Sequence, residues 1–550
     1  MKLTRRKCLA TGAAAIAAGI VRGQPNLPRI DARPPFDILI VNGRVVDGSG
    51  GPWVRGDVGL RGDRIAAIGR LGDAAATTRI DAVGKVVAPG FIDPHPHGDL
   101  MLLADPAHEP AIRQGVTTYI LGQDGCGFAP ASATTQQYMR RYTAGFSGNP
   151  QLSQRWSTVA EYLGQFDRRT ALNVTCLVPN GCVRLDTVGL DPRRATADEL
   201  RAMRRRLREG LEQGAVGLSS GLIYIPSRYA DTAELTELCR EIAPRGGVYV
   251  THMRGYTPET VGPALEEVFA IGRDAECPVH VSHFNVQANL ALPLLDRARA
   301  AGVDVTFDLY PYLVGSTTVG ATLLPPVVQV GGIDATLTRL KDPNERRKVR
   351  DWLTGTRKRL LETVSFTHVP AAEYKRFEGM TVAKAAAAAG RDPVDFVCDL
   401  LIACGMEAGC LAPHSWREER DIDILMRHPA MMACSDGIFV GGAPHPRGWS
   451  AFARYLGHYV RQGTWTLEEA VAKMSARAAR KFGLKDRGML REAMAADVIV
   501  FDPATVRDRA TFGNSRQLAD GMEHVIVNGK LVLHAGKRTE ARPGRALRGS

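Results

Sequence analysis

A chain of 550 residues with 45% hydrophobic and 23% charged side chains has the composition of a folded globular protein too long for one ordinary domain, which excludes extended disorder. A formal net charge of +12 raises the question of nucleic acid. However, Lys2, Arg5, Arg6, Lys7 and Arg22 crowd the start of the chain, and the densest later run, Arg201 to Arg208, has no interleaved aromatic residues to stack bases. That run is expected to be the solvated side of an amphipathic helix, with no nucleic-acid partner. The ten cysteines contain no CxxC pair, so neither a disulfide scaffold nor a structural zinc site is expected. Cys176/Cys182 and Cys404/Cys410 could pair in an oxidising compartment, but buried free thiols are the expectation.

Residues 1–24 read as an export signal. Arg5 and Arg6 form a twin-arginine pattern, and the small apolar stretch behind them is too short to span a bilayer permanently. The expected location is periplasmic or secreted, without a stable membrane anchor once the signal is cleaved between Ala18 and Gln24. A Pro-rich linker over 24–35 leads into hairpin-like β segments at 36–43, 44–48, 57–60 and 64–69. The same grammar returns at 497–502 and 524–532. Residues 25–88 and 486–550 are therefore expected to build one small β-sandwich domain from both ends of the chain.

Between them, over 89–485, apolar strands alternate with helices. Eight strands are predicted at 86–93, 116–121, 172–178, 215–220, 248–252, 279–283, 303–310 and 431–436, with helices at 197–213, 232–243 and 260–275 among those between them. Eight such units predict an α/β fold of the (β/α)8, TIM-barrel type, whose active site lies at the carboxyl ends of the strands. Residues 320–429 are mostly polar and helical and are expected to form an insertion over the barrel mouth.

Six metal-ligating or ionisable residues fall where those strands end: His95 and His97 after the first, Asp124 after the second, His252, His283 and Asp436 after the fifth, sixth and eighth. His95 and His97 stand two apart, so both imidazoles can face one ion. Four imidazoles and two carboxylates are the nitrogen and oxygen donors that zinc takes, with a position left for water. One or two zinc ions are expected. His108, His280 and His428 are expected to be structural, and Asp93 to fix a strand-end turn.

The segments GFIDPHPHGD (90–99), GLSSGLIYIPSRY (217–229), YVTHMR (249–254), CSDG (434–437), HPR (445–447) and ADVIVF (496–501) make the chain resemble the D-aminoacylase, or N-acyl-D-amino-acid deacylase, family of the amidohydrolase superfamily, in order from about residue 36 to 548. The resemblance implies hydrolysis of the amide bond of a small N-acylated D-amino acid. Zinc would be held mainly by His252, His283 and the ligand after the second strand, with His95 and His97 forming a second position. Asp436 would be the general base and then the general acid, and Tyr310, Ser316 and Arg447 would bind the substrate carboxylate. Two positions depart from the family. Its metal-ligating cysteine is replaced by Asp124, with Cys126 two residues on as the alternative ligand. Its lysine after the sixth strand is replaced by Asn285. A cyclic-amide hydrolase of dihydroorotase or hydantoinase type is the alternative activity, although no lysine stands at the ends of strands three to five to bridge its metals. A non-catalytic exported barrel that binds metal or ligand is the third reading. Nothing in the sequence sets the oligomeric state.

Overall fold

A computed structural model of the protein describes residues 36–549; the export signal expected over 1–24 lies outside the described residues. Eight parallel strands form the core: β1 (Phe91–Asp93), β2 (Val116–Leu121), β3 (Asn173–Cys176, resuming at Val178–Pro179), β4 (Gly217–Gly221), β5 (Val248–His252), β6 (Val279–Val281), β7 (Val305–Leu309) and β8 (Met431–Ala433). Their side chains are almost all buried on both faces, as apolar strands covered by helices must be. They hydrogen-bond as two arcs, β1-β2-β3 and β3-β4-β5-β6-β7-β8. The break at Leu177 lets one half of β3 pair with β2 and the other with β4. Past β1 and β8 the chain makes a parallel bridge between Pro96 and Gly437, and Ser435 donates its backbone N–H and its hydroxyl to Asp93.

The sheet built from both chain ends has nine strands. Val86–Pro89 joins its two halves, lying parallel to Phe36–Val45 and antiparallel to Val498–Phe501. The sequence pattern predicts 86–93 as one core strand. The structure divides it at Gly90, where any Cβ would stand 2.2 Å from Thr117 Oγ1, so the two halves serve different sheets. Phe36–Val45 is likewise one strand, not two segments around a turn: its register shifts between Ile40 and Gly43, where Asn42 takes a left-handed φ of 64°.

The helix Ala197–Glu212 starts at a Thr196/Glu199 capping box and buries Met203, Leu207 and Leu211. Its arginines lie on the outer side, where Arg204 and Arg208 pair with Glu241 and Arg206 pairs with Asp186. Residues 320–429 hold more strand than their polarity suggested. Ser365–His368 and Gly409–Pro413 join Val314–Thr318 in a three-stranded antiparallel sheet. All nine described cysteines are buried and unpaired. No described helix is long and apolar enough to cross a membrane.

The two sheets meet through a buried polar knot. Asp497 accepts from Asn173 Nδ2 (2.9 Å), the Asn528 backbone (2.7 Å) and Arg487, and Asn528 Nδ2 donates to Asn173 Oδ1 (2.7 Å). Removing one partner of such a pair strands the other charge away from water. Asp497→Ala is expected to cost about 3 kcal/mol, read as a lower midpoint in denaturant unfolding at unchanged slope.

Candidate metal centre and active-site cavity

Asp124 sits in a single turn, Gln123–Gly125, that follows β2 directly, with a left-handed φ of 56° after Gly122 at 75°. The turn points its carboxylate to the middle of the strand ends, and four imidazoles face it. Asp124 Oδ1 lies 3.5 Å from His95 Nε2, while Oδ2 lies 3.6 Å from each of His97 Nε2, His252 Nδ1 and His283 Nε2. These separations exceed good hydrogen bonds. They suit ligands that share an ion, since two donors each about 2.0–2.1 Å from a tetrahedral metal stand roughly 3.4 Å apart. His95 Nε2, Asp124 Oδ1 and His252 Nδ1 are buried without a hydrogen-bond partner in the protein. Two overlapping groups can hold an ion: His95, His97 and Asp436; and His95, Asp124 and His283. The donor set thus fits a divalent metal. Asp124, His283 and Asp436 all have positive φ, the kind of backbone strain that clusters at functional sites.

Asp436 closes the ring. Its Oδ1 is 3.2 Å from His97 Nε2, and its Oδ2 is 2.9 Å from Arg447 Nη2. Burial pushes its carboxyl up, but Arg447 and the His97 contact prevail and hold it at about 2. Burial likewise opposes the charge on Asp124, and His95 and His283 hold it well below the usual carboxylate range. Burial works against protonation of His95, whereas Asp124 and Asp308 raise it. His252, buried and beside His283, falls to about 4.

A second layer of buried carboxylates fixes the ligands. Asp308 on β7 is 3.3 Å from His95 Nδ1 and 2.9 Å from His280 Nε2, and its other oxygen accepts the His283 backbone N–H at 2.6 Å. Asp93 accepts the His95 backbone at 3.2 Å besides holding Ser435. Asp99, pushed up to about 6 by burial, accepts from Gly122 N (3.1 Å) and Tyr162 OH (3.0 Å), and so anchors the turn that carries Asp124.

Above the cluster opens a cavity of about 270 Å³. Tyr310, Ser316 and Asn285 line one side, Phe146, Ile223 and Tyr224 another, and the 320–429 segment contributes Ala412, His414 and Trp416. Asn285 Nδ2 donates to Tyr310 OH at 2.8 Å, and Ser316 Oγ has no partner. Arg447 lies behind this wall, its guanidinium 4.4 Å from the Tyr310 ring centre, with Nε and Nη1 unpartnered. Cys126 is buried and falls in neither ligand group; burial pushes its thiol well up, the opposite of what metal ligation needs.

The model of the amidohydrolase family matches residues 78–533. The chain is 38% identical to the D-aminoacylase of Alcaligenes xylosoxydans xylosoxydans, over 93% of this chain and 98% of that one. It is also 38% identical to the N-acyl-D-glutamate deacylase of the same organism, over 93% and 96%. The chain belongs to the D-aminoacylase family of amidohydrolases. Among solved structures it is similar to N-acyl-D-glutamate deacylase from Bordetella bronchiseptica, complexed with zinc and a phosphonate that mimics the tetrahedral intermediate: TM-score 0.79, 35% identity, 94% of this chain and 100% of that one.

Set in this family, the cluster unites His95, His97, Asp124, His252, His283 and Asp436. Tyr310 and Ser316 stand on the cavity wall, with Arg447 one layer behind. The sequence reading passed over Asp308, although an acidic residue inside the apolar run 303–310 was the available signal: a buried strand carries a carboxylate only where partners await it. His280, expected to be structural, is one of those partners. Loss of a residue that orients metal ligands typically costs 10–100-fold in metal affinity. Asp308→Ala is therefore expected to weaken zinc binding by about 10–100-fold in competition with a chelator, without touching the ion itself.

Proposed function

We propose that the protein is a zinc-dependent N-acyl-D-amino-acid deacylase. The observation that carries this reading is Asp124 facing four imidazoles on the floor of a cavity whose edge holds Asp436 and, behind it, Arg447. The two relatives, a D-aminoacylase and an N-acyl-D-glutamate deacylase, support the substrate class. The finer architecture follows the same reading: the two parallel arcs make one (β/α)8 barrel, supported by the Pro96–Gly437 bridge, and the nine-stranded sheet folds as a β-sandwich beside it.

His95, His97, Asp124, His252 and His283 would hold one or two zinc ions. Bound zinc supplies Lewis acidity, which polarises the substrate carbonyl and brings the pKa of a water to about 7. Asp436 Oδ1, on the side of the cluster, takes the proton of the attacking water. It then returns that proton to the amide nitrogen as the C–N bond breaks, giving a carboxylic acid and a D-amino acid. Arg447 fixes the other oxygen of Asp436, so the free oxygen keeps one direction. Tyr310 OH and Ser316 Oγ offer hydrogen bonds to the substrate carboxylate, and the unpartnered Nε and Nη1 of Arg447 supply charge behind them.

Zinc-loaded protein is expected to hydrolyse N-acetyl-D-amino acids in preference to their L-enantiomers, and metal-stripped protein to hydrolyse neither. Asp436→Asn should retain zinc by elemental analysis while kcat falls by roughly 10²–10⁴. Bound zinc with neither enantiomer cleaved would remove the proposed substrate.

A further inference from the structure

A substrate carboxylate beside Tyr310 needs positive charge, and little is free to serve it. Arg447 offers its Nε and Nη1 but shares its charge with Asp436 at 2.9 Å, Asn285 is neutral, and the described cavity lining contains no lysine or arginine. One guanidinium nearby has no carboxylate within ion-pair distance among the described residues. Arg417 is 4% exposed, its Nη2 donates to the Tyr312 carbonyl, and its Nε and Nη1 have no hydrogen-bond partner. Its guanidinium lies 6.0 Å from the centre of the Tyr310 ring. Of the acids near it in sequence, Asp421 has both oxygens engaged, by Ala288 N (2.9 Å) and Glu418 N (2.9 Å), and Glu419 is exposed.

A buried guanidinium that lacks a carboxylate is costly, and an anion entering beside it offsets that cost. The chain positions Arg417 rigidly. Its neighbour Trp416 lines the cavity and donates Nε1 to the Asn285 carbonyl at 2.8 Å, and the His414 ring stacks on Trp416 at 4.9 Å. Positive charge one layer behind a water-poor wall acts strongly across it, because little solvent screens it.

Resting on the deacylase reading, we infer that Arg417 is a specificity-positioning residue: acting from behind Tyr310, it supplies the positive charge that Asn285 does not, and selects substrates that carry a free carboxylate. It does not touch the reacting atoms. Its effect is on KM for the charged substrate, not on the chemical step.

The test compares N-acetyl-D-leucine with its carboxamide on the zinc-loaded enzyme. Arg417→Met is expected to raise KM for the acid by on the order of 10–100-fold, to change KM for the amide by less than about twofold, and to leave kcat for the acid nearly constant. Asn285→Lys added to Arg417→Met should recover most of the lost KM, a rescue that a purely structural arginine would not permit. Equal KM changes for acid and amide, or no change for the acid, overturn the inference. Should Arg417→Met not fold, Asn285→Lys alone decides. A site already served by Arg417 gains less than about threefold in KM for the acid, whereas a larger gain means that Arg417 was not serving it and overturns the inference. If the wild-type enzyme cleaves neither D-compound, the deacylase reading falls and this inference with it. If it cleaves the acid and Arg417→Met behaves like wild type, only the inference falls.

Discussion

The carboxylate of Asp124 is surrounded by imidazoles from the ends of β1, β5 and β6, and two of the four, His95 through Nε2 and His252 through Nδ1, have no protein partner for the atom they turn toward it. Burial of unpaired donors and acceptors is expensive unless something neutralises them together, and a divalent cation does so in one step. Much of the surrounding structure serves this convergence. Asp308 ties His95, His280 and the His283 backbone into one unit, Asp93 joins the His95 loop to the end of β8, and Asp99 holds the turn that carries Asp124.

Asp124 also stands where the resemblance to the family implies a cysteine ligand. A carboxylate is a harder donor than a thiolate and has two oxygens to share. Here they face different imidazoles, Oδ1 toward His95 and Oδ2 toward His97, His252 and His283, an arrangement suited to bridging. Cys126, two residues on, stays a buried thiol pushed away from ionisation. The neutral Asn285 marks a second divergence, and the wall behind Tyr310 carries two guanidiniums, one committed to Asp436 and one without a carboxylate.

Much of this was legible in the sequence because parallel strands leave a strong record: recurring apolar runs, five of the eight followed by a residue whose chemistry suits a metal site. His95, His97, His252, His283 and Asp436 could be read from those positions alone, and the structure brings them together. What could not be read depends on tertiary contact. Gly90 divides two sheets only because Thr117 crowds it, and the shift at Asn42 is a local conformation that β-patterning does not encode. Arg417 lies in a polar segment where its burial depends on Tyr310 and Tyr312, far away in sequence. Asp308 is visible as the inner of two acids in the predicted strand 303–310, but its role needs the positions of His95 and His280.

Asp124 faces the four imidazoles and Cys126 falls in neither ligand group, so Asp124 and not a cysteine is expected to complete the metal centre. X-ray absorption at the zinc edge of the loaded protein tests it most directly. The structure predicts a first shell of nitrogen and oxygen alone, at about 2.0–2.1 Å. A sulfur scatterer at about 2.3 Å would mean that Cys126 turns inward to bind zinc, and would contradict the account.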